Sequence, residues 1–413
     1  MQGSASIAAG VALATQARSQ AAPVPAADGF QVLRAMPAMA GPSGQPPEPP
    51  IWGYEGTVPG PLLRVRQGQE LKIRVANQLP VSTTVHWHGV RVPNGMDGVP
   101  ALTQPLIASG ASFDYRFKVP DAGTFWYHPP STLPGQSERG LYGMLIVDEA
   151  ALPEVDRDIP FVIDHRQLSQ TIGTQTNERL RLRFVNAATG RIARLRFDRH
   201  PVWVMAIDGQ PAEPFLAREG RIVLTPGNRV DVFLDAVLEP GGSASFFLDD
   251  NGREQELALL AYHPTEKRRA ALLPEPRALP ANPLPKRIDM RNALRIEIPL
   301  GGTPASQAKP GTPGDSLSPF GPSLFSVKRG RAVVITLPNA SDAAYALHIH
   351  GHHVRLLDQL DDGWKPFWLD TVTINPGRTT RVAFVADNPG QWLVYGQPLA
   401  GSHAERVEWF AVT

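Results

Sequence analysis

Two histidine groups stand near opposite ends of this chain: His86-Trp87-His88, and His348-Ile349-His350 followed by Gly351-His352-His353. On a strand, side chains alternate with period two, so histidines at i and i+2 point the same way. Each pair is a ready pincer for one transition metal, or for two adjacent ones. Imidazole suits copper, zinc, iron or nickel. The chain has no cysteine. That excludes disulfides, thiolate catalysis and thiolate ligation of a blue copper.

Pincers of this kind need strands to hold them, and strand patterns dominate. Leu71–Val75 and Ser112–Phe117 alternate, as does the arginine ladder Arg179-Leu180-Arg181-Leu182-Arg183. Each reads as a half-buried strand with one solvated face. The net charge is only +1, so the ladder is read as a solvated sheet face and no nucleic-acid partner is expected. Abundant glycine (37) and proline (42) fit many short strands joined by turns. The 413 residues exceed one core. Three strand-rich blocks separate, at 41–150, 151–265 and 287–413, with a Pro-rich linker at 266–286. Each is expected to be a β-sandwich of roughly 100 residues. A Gly/Pro/Ser loop between Gly301 and Pro322 reads as a surface excursion. Asn77-Gln78-Leu79-Pro80 before the first cluster and Pro338-Asn339-Ala340 before the second suggest a duplicated module.

Residues 1–40 read as a flexible tail. Within it, the small apolar run at 2–16 resembles the back half of an export signal, which points to a periplasmic or secreted protein. The run is too short to span a bilayer, and no integral membrane segment is expected.

Six ordered segments resemble a three-domain, laccase-like multicopper oxidase. They include VHWHGVRVPNGMDGVPALTQ, DAGTFWYHPPSTLPGQSERGLYGMLIV, LHIHGHHVRLLDQLDDGWKPFWLDTVTINPG and FVADNPGQWLVYGQPLAGSHAERVEWFAV. The resemblance implies an all-β chain of three cupredoxin-like Greek-key sandwiches. It also implies a mononuclear (type 1) copper that takes electrons from substrate, and a three-copper cluster between the first and third domains that reduces dioxygen. Carried over by position, His86, His88, His128, His348 and His350 match five of the cluster's eight histidines. The other three positions hold Pro130, Tyr395 and Gln397. The type 1 ligand positions hold Tyr345, Gly396, Gly401 and Arg406, so that copper is expected to be absent.

The reading favoured by these residues is an exported protein without a type 1 site, not a laccase, that acts by binding. An unknown protein partner and a residual histidine metal site belong to that reading, and copper-free cell-division relatives in the family are its precedent. Two alternatives stay open: a copper-dependent oxidoreductase or mononuclear metal enzyme, and copper or zinc storage. His352 is expected to orient ligands and His353 to pack. His403 reads as a surface loop residue, and His165, His200 and His263 as structural. Tyr345, Tyr395 and Trp392 are expected to pack into the vacated copper pocket. Asp361, Asp362 and Asp370 read as surface carboxylates.

Overall fold

The computed structural model describes residues 28–38, 50–166, 169–250, 252–301, 320–357, 368–401 and 403–413. The segment at 2–16, most of the Gly301–Pro322 loop, Asp361 and Asp362 lie outside the described residues. Apart from two short 3-10 turns, every regular element described is a strand. The strands form six sheets.

Two sheets come from the first block. One orders Trp52–Tyr54, Gln31–Pro37, Glu70–Asn77 and Ser112–Lys118. The other orders Leu63–Arg66, Gly143–Asp148, Gly123–His128 and His86–His88. Gln31–Pro37 pairs in parallel with Glu70–Asn77, and Leu33 and Ala35 are fully buried. The expected tail to residue 40 is therefore corrected from Gln31 on, because that stretch supplies alternating apolar residues to the sheet. The middle and last blocks each give two five-stranded sheets. Sequence neighbours are often not sheet neighbours, and one pairing in each of the six sheets is parallel. After Lys267 no strand begins until Leu294. Within that stretch Asn282 donates to Ala122 O at 2.8 Å and to Gln210 Oε1 at 2.9 Å, tying it across the first two blocks.

One apolar cluster runs through the first and last blocks together, and a separate one fills the middle block. The continuous core fixes the first and last blocks against each other, which is what lets residues far apart in sequence share one site.

The asparagine that precedes each histidine cluster makes one kind of turn, and the middle block has it too. Asn77 Nδ2 donates to the carbonyls of Val81 and Ile107, and its Oδ1 accepts the Leu79 N–H. Asn339 makes the same three kinds of bond, to Ala343, Ile374 and Ser341. Asn186 does so in the middle block, with Arg191, Leu224 and Ala188. Each is a buried amide that satisfies the backbone where a strand ends.

The arginine ladder is not solvated. Arg179, Arg181 and Arg183 are 2%, 1% and 0% exposed. Their strand is central, between Arg229–Asp235 and Arg157–Ile163. Its leucine face enters the middle core, and its arginine face lies against the first block. There Arg181 forks onto Glu149 at 2.7 and 3.0 Å and reaches Asp231 at 2.6 Å. Arg183 takes Asp158 at 2.7 Å and Asp231 at 3.0 Å. Buried guanidinium is tolerated only with such pairing.

Candidate metal centre

The site grows from four strand segments. In His86–His88 the central Trp87 turns inward among Tyr115, Phe117 and Tyr127. That leaves both histidines on the opposite face. His86 pairs in register with His128, the last residue of Gly123–His128. His348 lies on Tyr345–Ile349, opposite Tyr395, and His350 follows directly. All five histidines are buried and converge where the first and last blocks meet.

Ring nitrogens meet in two facing pairs. His86 Nε2 lies 3.2 Å from His348 Nε2, and His88 Nδ1 lies 3.2 Å from His128 Nε2. The far side of each ring fixes its tautomer. His86 Nδ1 donates to Asp97 O at 3.0 Å, His348 Nδ1 to Asp370 O at 2.9 Å, and His128 Nδ1 to Pro129 O at 2.7 Å. A carbonyl can only accept, so these Nδ1 atoms carry the hydrogen and the Nε2 atoms present lone pairs. His88 Nε2 donates to Thr371 Oγ1 at 2.9 Å, while that hydroxyl donates to Asp370 Oδ1. His350 Nδ1 donates to the Asp97 carboxylate at 2.9 Å. Imidazole anchored through one nitrogen, with the other left bare, is the arrangement of a metal ligand.

Burial keeps four of these rings uncharged. It holds His88, His128 and His348 below the ordinary histidine value, and it holds His350 down at about 3. At neutral pH the facing nitrogens of His88 and His128 therefore have no extra proton between them. Two nitrogens 3.2 Å apart can both reach one ion at the usual metal–nitrogen distance of about 2.0–2.1 Å.

Several supporting residues were not singled out from sequence. Asp97 reaches His86 because Gly98, at φ +83°, lets the loop pass the Val85 carbonyl, where a Cβ would sit 1.9 Å away. Arg229, from the middle block, forks onto Asp370 at 2.7 and 2.6 Å and is 0% exposed. Asp370 is thus corrected from a surface carboxylate to a buried ion-pair partner, screened from water by Arg229 and the two histidine strands. Asp208, beside it, accepts N–H bonds from Arg229, Asp370 and Thr371, and burial with the neighbouring Asp370 pushes its carboxyl up to about 7. His352 sits among Phe384, Trp392 and Phe410 and touches the site only through the His350 carbonyl. His353 faces Gln210. His403 pairs with exposed Asp342, and His200 bonds Tyr262 away from the cluster.

Family models described as multicopper oxidase match residues 39–152, 110–260 and 287–405. The crystal structure of Lac15 from a marine microbial metagenome is 31% identical, with TM-score 0.75, over 92% of this chain and 99% of that one. That of a multi-copper oxidase from Pseudomonas Thermotolerans is 28% identical, with TM-score 0.80, over 92% of this chain and 98% of that one. Multicopper oxidase MmcO of Mycobacterium tuberculosis is 26% identical over 83% of this chain and 79% of its own length. The chain belongs to the multicopper oxidase family. The family implies copper, and the facing, uncharged imidazoles fit a copper ion.

The sequence resemblance assigns the type 1 copper positions to Tyr345, Gly396, Gly401 and Arg406. A Cβ on Gly396 would lie 3.1 Å from Leu347 Cδ1 and 3.2 Å from Arg406 Cβ. Arg406 and Glu408, both buried, pair at 3.3 Å. Tyr345 is buried and donates to Ala404 O at 3.2 Å. Trp392 is fully buried and donates to Asn388 O.

Proposed function

We propose that this chain is a copper-binding multicopper oxidase relative in which the five-histidine site binds the metal and no type 1 copper is present. The observation that carries it is the pair of 3.2 Å contacts between facing ring nitrogens. Neutral lone pairs repel at that distance, and a shared cation turns the repulsion into ligation. His86 and His348 would hold one ion, and His88 with His128 a second, with His350 beside them. When bound, copper there supplies one-electron redox chemistry. The chain's own residues orient it: Asp97, Asp370 and Thr371 hold the rings, and burial keeps His88, His128, His348 and His350 unprotonated.

The absence of a type 1 site rests on chemistry at its positions. Gly396 offers no side chain, Arg406 brings a cation, and Leu347 with Arg406 takes the space. Without that copper, long-range electron supply from an external phenol is broken, so laccase turnover is not expected. Export remains a proposal from the signal-like residues 2–16. Among the described residues no helix is long and apolar enough to cross a membrane.

The test is copper titration of the purified protein with metal analysis and electron paramagnetic resonance. Nitrogen-ligated copper without intense blue colour, and phenol oxidation no faster than free copper, is the expected result. Failure to retain copper on dialysis, or an intense blue band, would overturn the reading.

A further inference from the structure

The three cluster positions that have lost histidine are not scattered. Pro130, Tyr395 and Gln397 all line one cavity of about 110 Å³, and the same cavity is walled by all five site histidines. Where the family resemblance places three more imidazoles, this chain has space. Ala187, Ala188 and Thr189 of the middle block complete the wall, so the cavity lies where all three blocks meet, a usual place for a ligand site.

Resting on the copper reading above, we infer that this cavity is a subsite for a small uncharged nitrogen- or oxygen-donor molecule that binds directly to the histidine-held copper. Three observations carry it. The ligand set is short of its family complement on the cavity side only, so a further donor could reach a bound ion from that side. The volume is enough for several water molecules, which leaves room for a small molecule. The lining is apolar over Trp126, Pro130 and Leu133, polar at Gln397, and contains no lysine or arginine. Its charged rim residues are the exposed carboxylates Glu138 and Glu405. That rim disfavours anions. The Tyr395 hydroxyl is engaged with Glu405 and Ser131, and Gln397 and Thr189 are further polar groups of the lining.

The probe is imidazole at pH 8, added to copper-loaded full-length protein and followed by electron paramagnetic resonance, with copper retention checked by dialysis. A saturable spectral change is expected, with azide binding at least about tenfold more weakly. Thr189→Trp, at the exposed rim, should weaken imidazole at least about tenfold without altering copper affinity. Gln397→His should abolish the imidazole response and tighten copper. Copper uptake with a spectrum unmoved by imidazole overturns this inference alone, as does azide binding as tightly as imidazole. A protein that takes up no copper overturns the copper reading and this inference with it.

Discussion

His348→Ala tests the site most directly. The substitution removes one lone pair of the His86–His348 pair and leaves the His88–His128 pair 3.2 Å apart as before. Four-ligand structural zinc sites bind with about 10–16 kcal/mol, or roughly 2.5–4 kcal/mol per ligand. At about 1.4 kcal/mol per tenfold, loss of one imidazole should weaken binding roughly 60- to 700-fold at that ion. The ion between His88 and His128 should be affected far less, so a two-ion protein should show one weakened site. Competition against a chelator of known copper affinity, with metal analysis for stoichiometry, reads both quantities. His403→Ala is the control, since that ring pairs with exposed Asp342 away from the cluster. If His348→Ala binds copper within about threefold of the parent at unchanged stoichiometry, the nitrogens facing each other are not the ligands and the reasoning fails.

Three further outcomes are expected. Burial holds His352 down at about 4, so between pH 6.5 and 4 the unfolded chain takes up a proton that the folded chain refuses. Stability is therefore lost as pH falls below 6.5, at about 1.4 kcal/mol per pH unit for that ring; denaturation should show the parent losing roughly 2 kcal/mol more than His352→Phe between pH 6.5 and 5, and parallel curves would contradict the assignment. Gly396→Cys should cost about 1–3 kcal/mol by overpacking against Leu347 and Arg406 and give no intense blue colour with copper; strong colour from this single change would show that the space is not filled. Arg229→Met should cost about 3–5 kcal/mol, because it leaves Asp370 charged and buried, and should weaken copper about 10- to 100-fold through Thr371 and His348; a second change, Asp370→Asn, should restore part of the stability, and undiminished stability of the single variant would refute the clamp.

The strands and the pincers were legible because both depend on period two: His86 with His88, and His348 with His350, declare themselves by spacing. His128 has no partner two residues on, where Pro130 stands, so only the family resemblance marked it. The arginine ladder shows where periodicity stops. Alternation tells which residues share a face of the strand Arg179–Asn186, but not what lies across that face. Here it is Glu149 and Asp231 rather than water. The Asn186 turn was missed because the residues after it, Ala187-Ala188, carry none of the polar turn signal seen after Asn77. Asp97 was missed because its role is set by the Gly98 turn in space, and no spacing rule links it to His350, 253 residues away.

The charges around the cluster give an independent reason to expect a cation. Asp370 is balanced by Arg229, and Asp208 is pushed up to about 7 beside it. Asp97 has no such partner: the hydrogen bonds and ion pairs of its carboxylate go to His86 and His350. Burial alone would raise its pKa, yet the charge of His350 when that ring is protonated, and then the hydrogen bonds from His350 and His86, hold it below the usual carboxylate range. His350 is itself held neutral at about 3 by burial. The metal-free site thus combines an ionised carboxylate, 1% exposed, with two pairs of opposed lone pairs, and each is costly in a low-dielectric interior. A carboxylate next to neutral rings gains little unless positive charge arrives from outside the chain. One copper ion on the bare nitrogens of His86 and His348 would answer both at once, ligated by the lone pairs and balanced through His350 and His86 by Asp97. Replacing Asp97 with Asn should therefore stabilise the metal-free protein while weakening copper, and a variant that loses stability in both states would show that the carboxylate serves packing rather than charge.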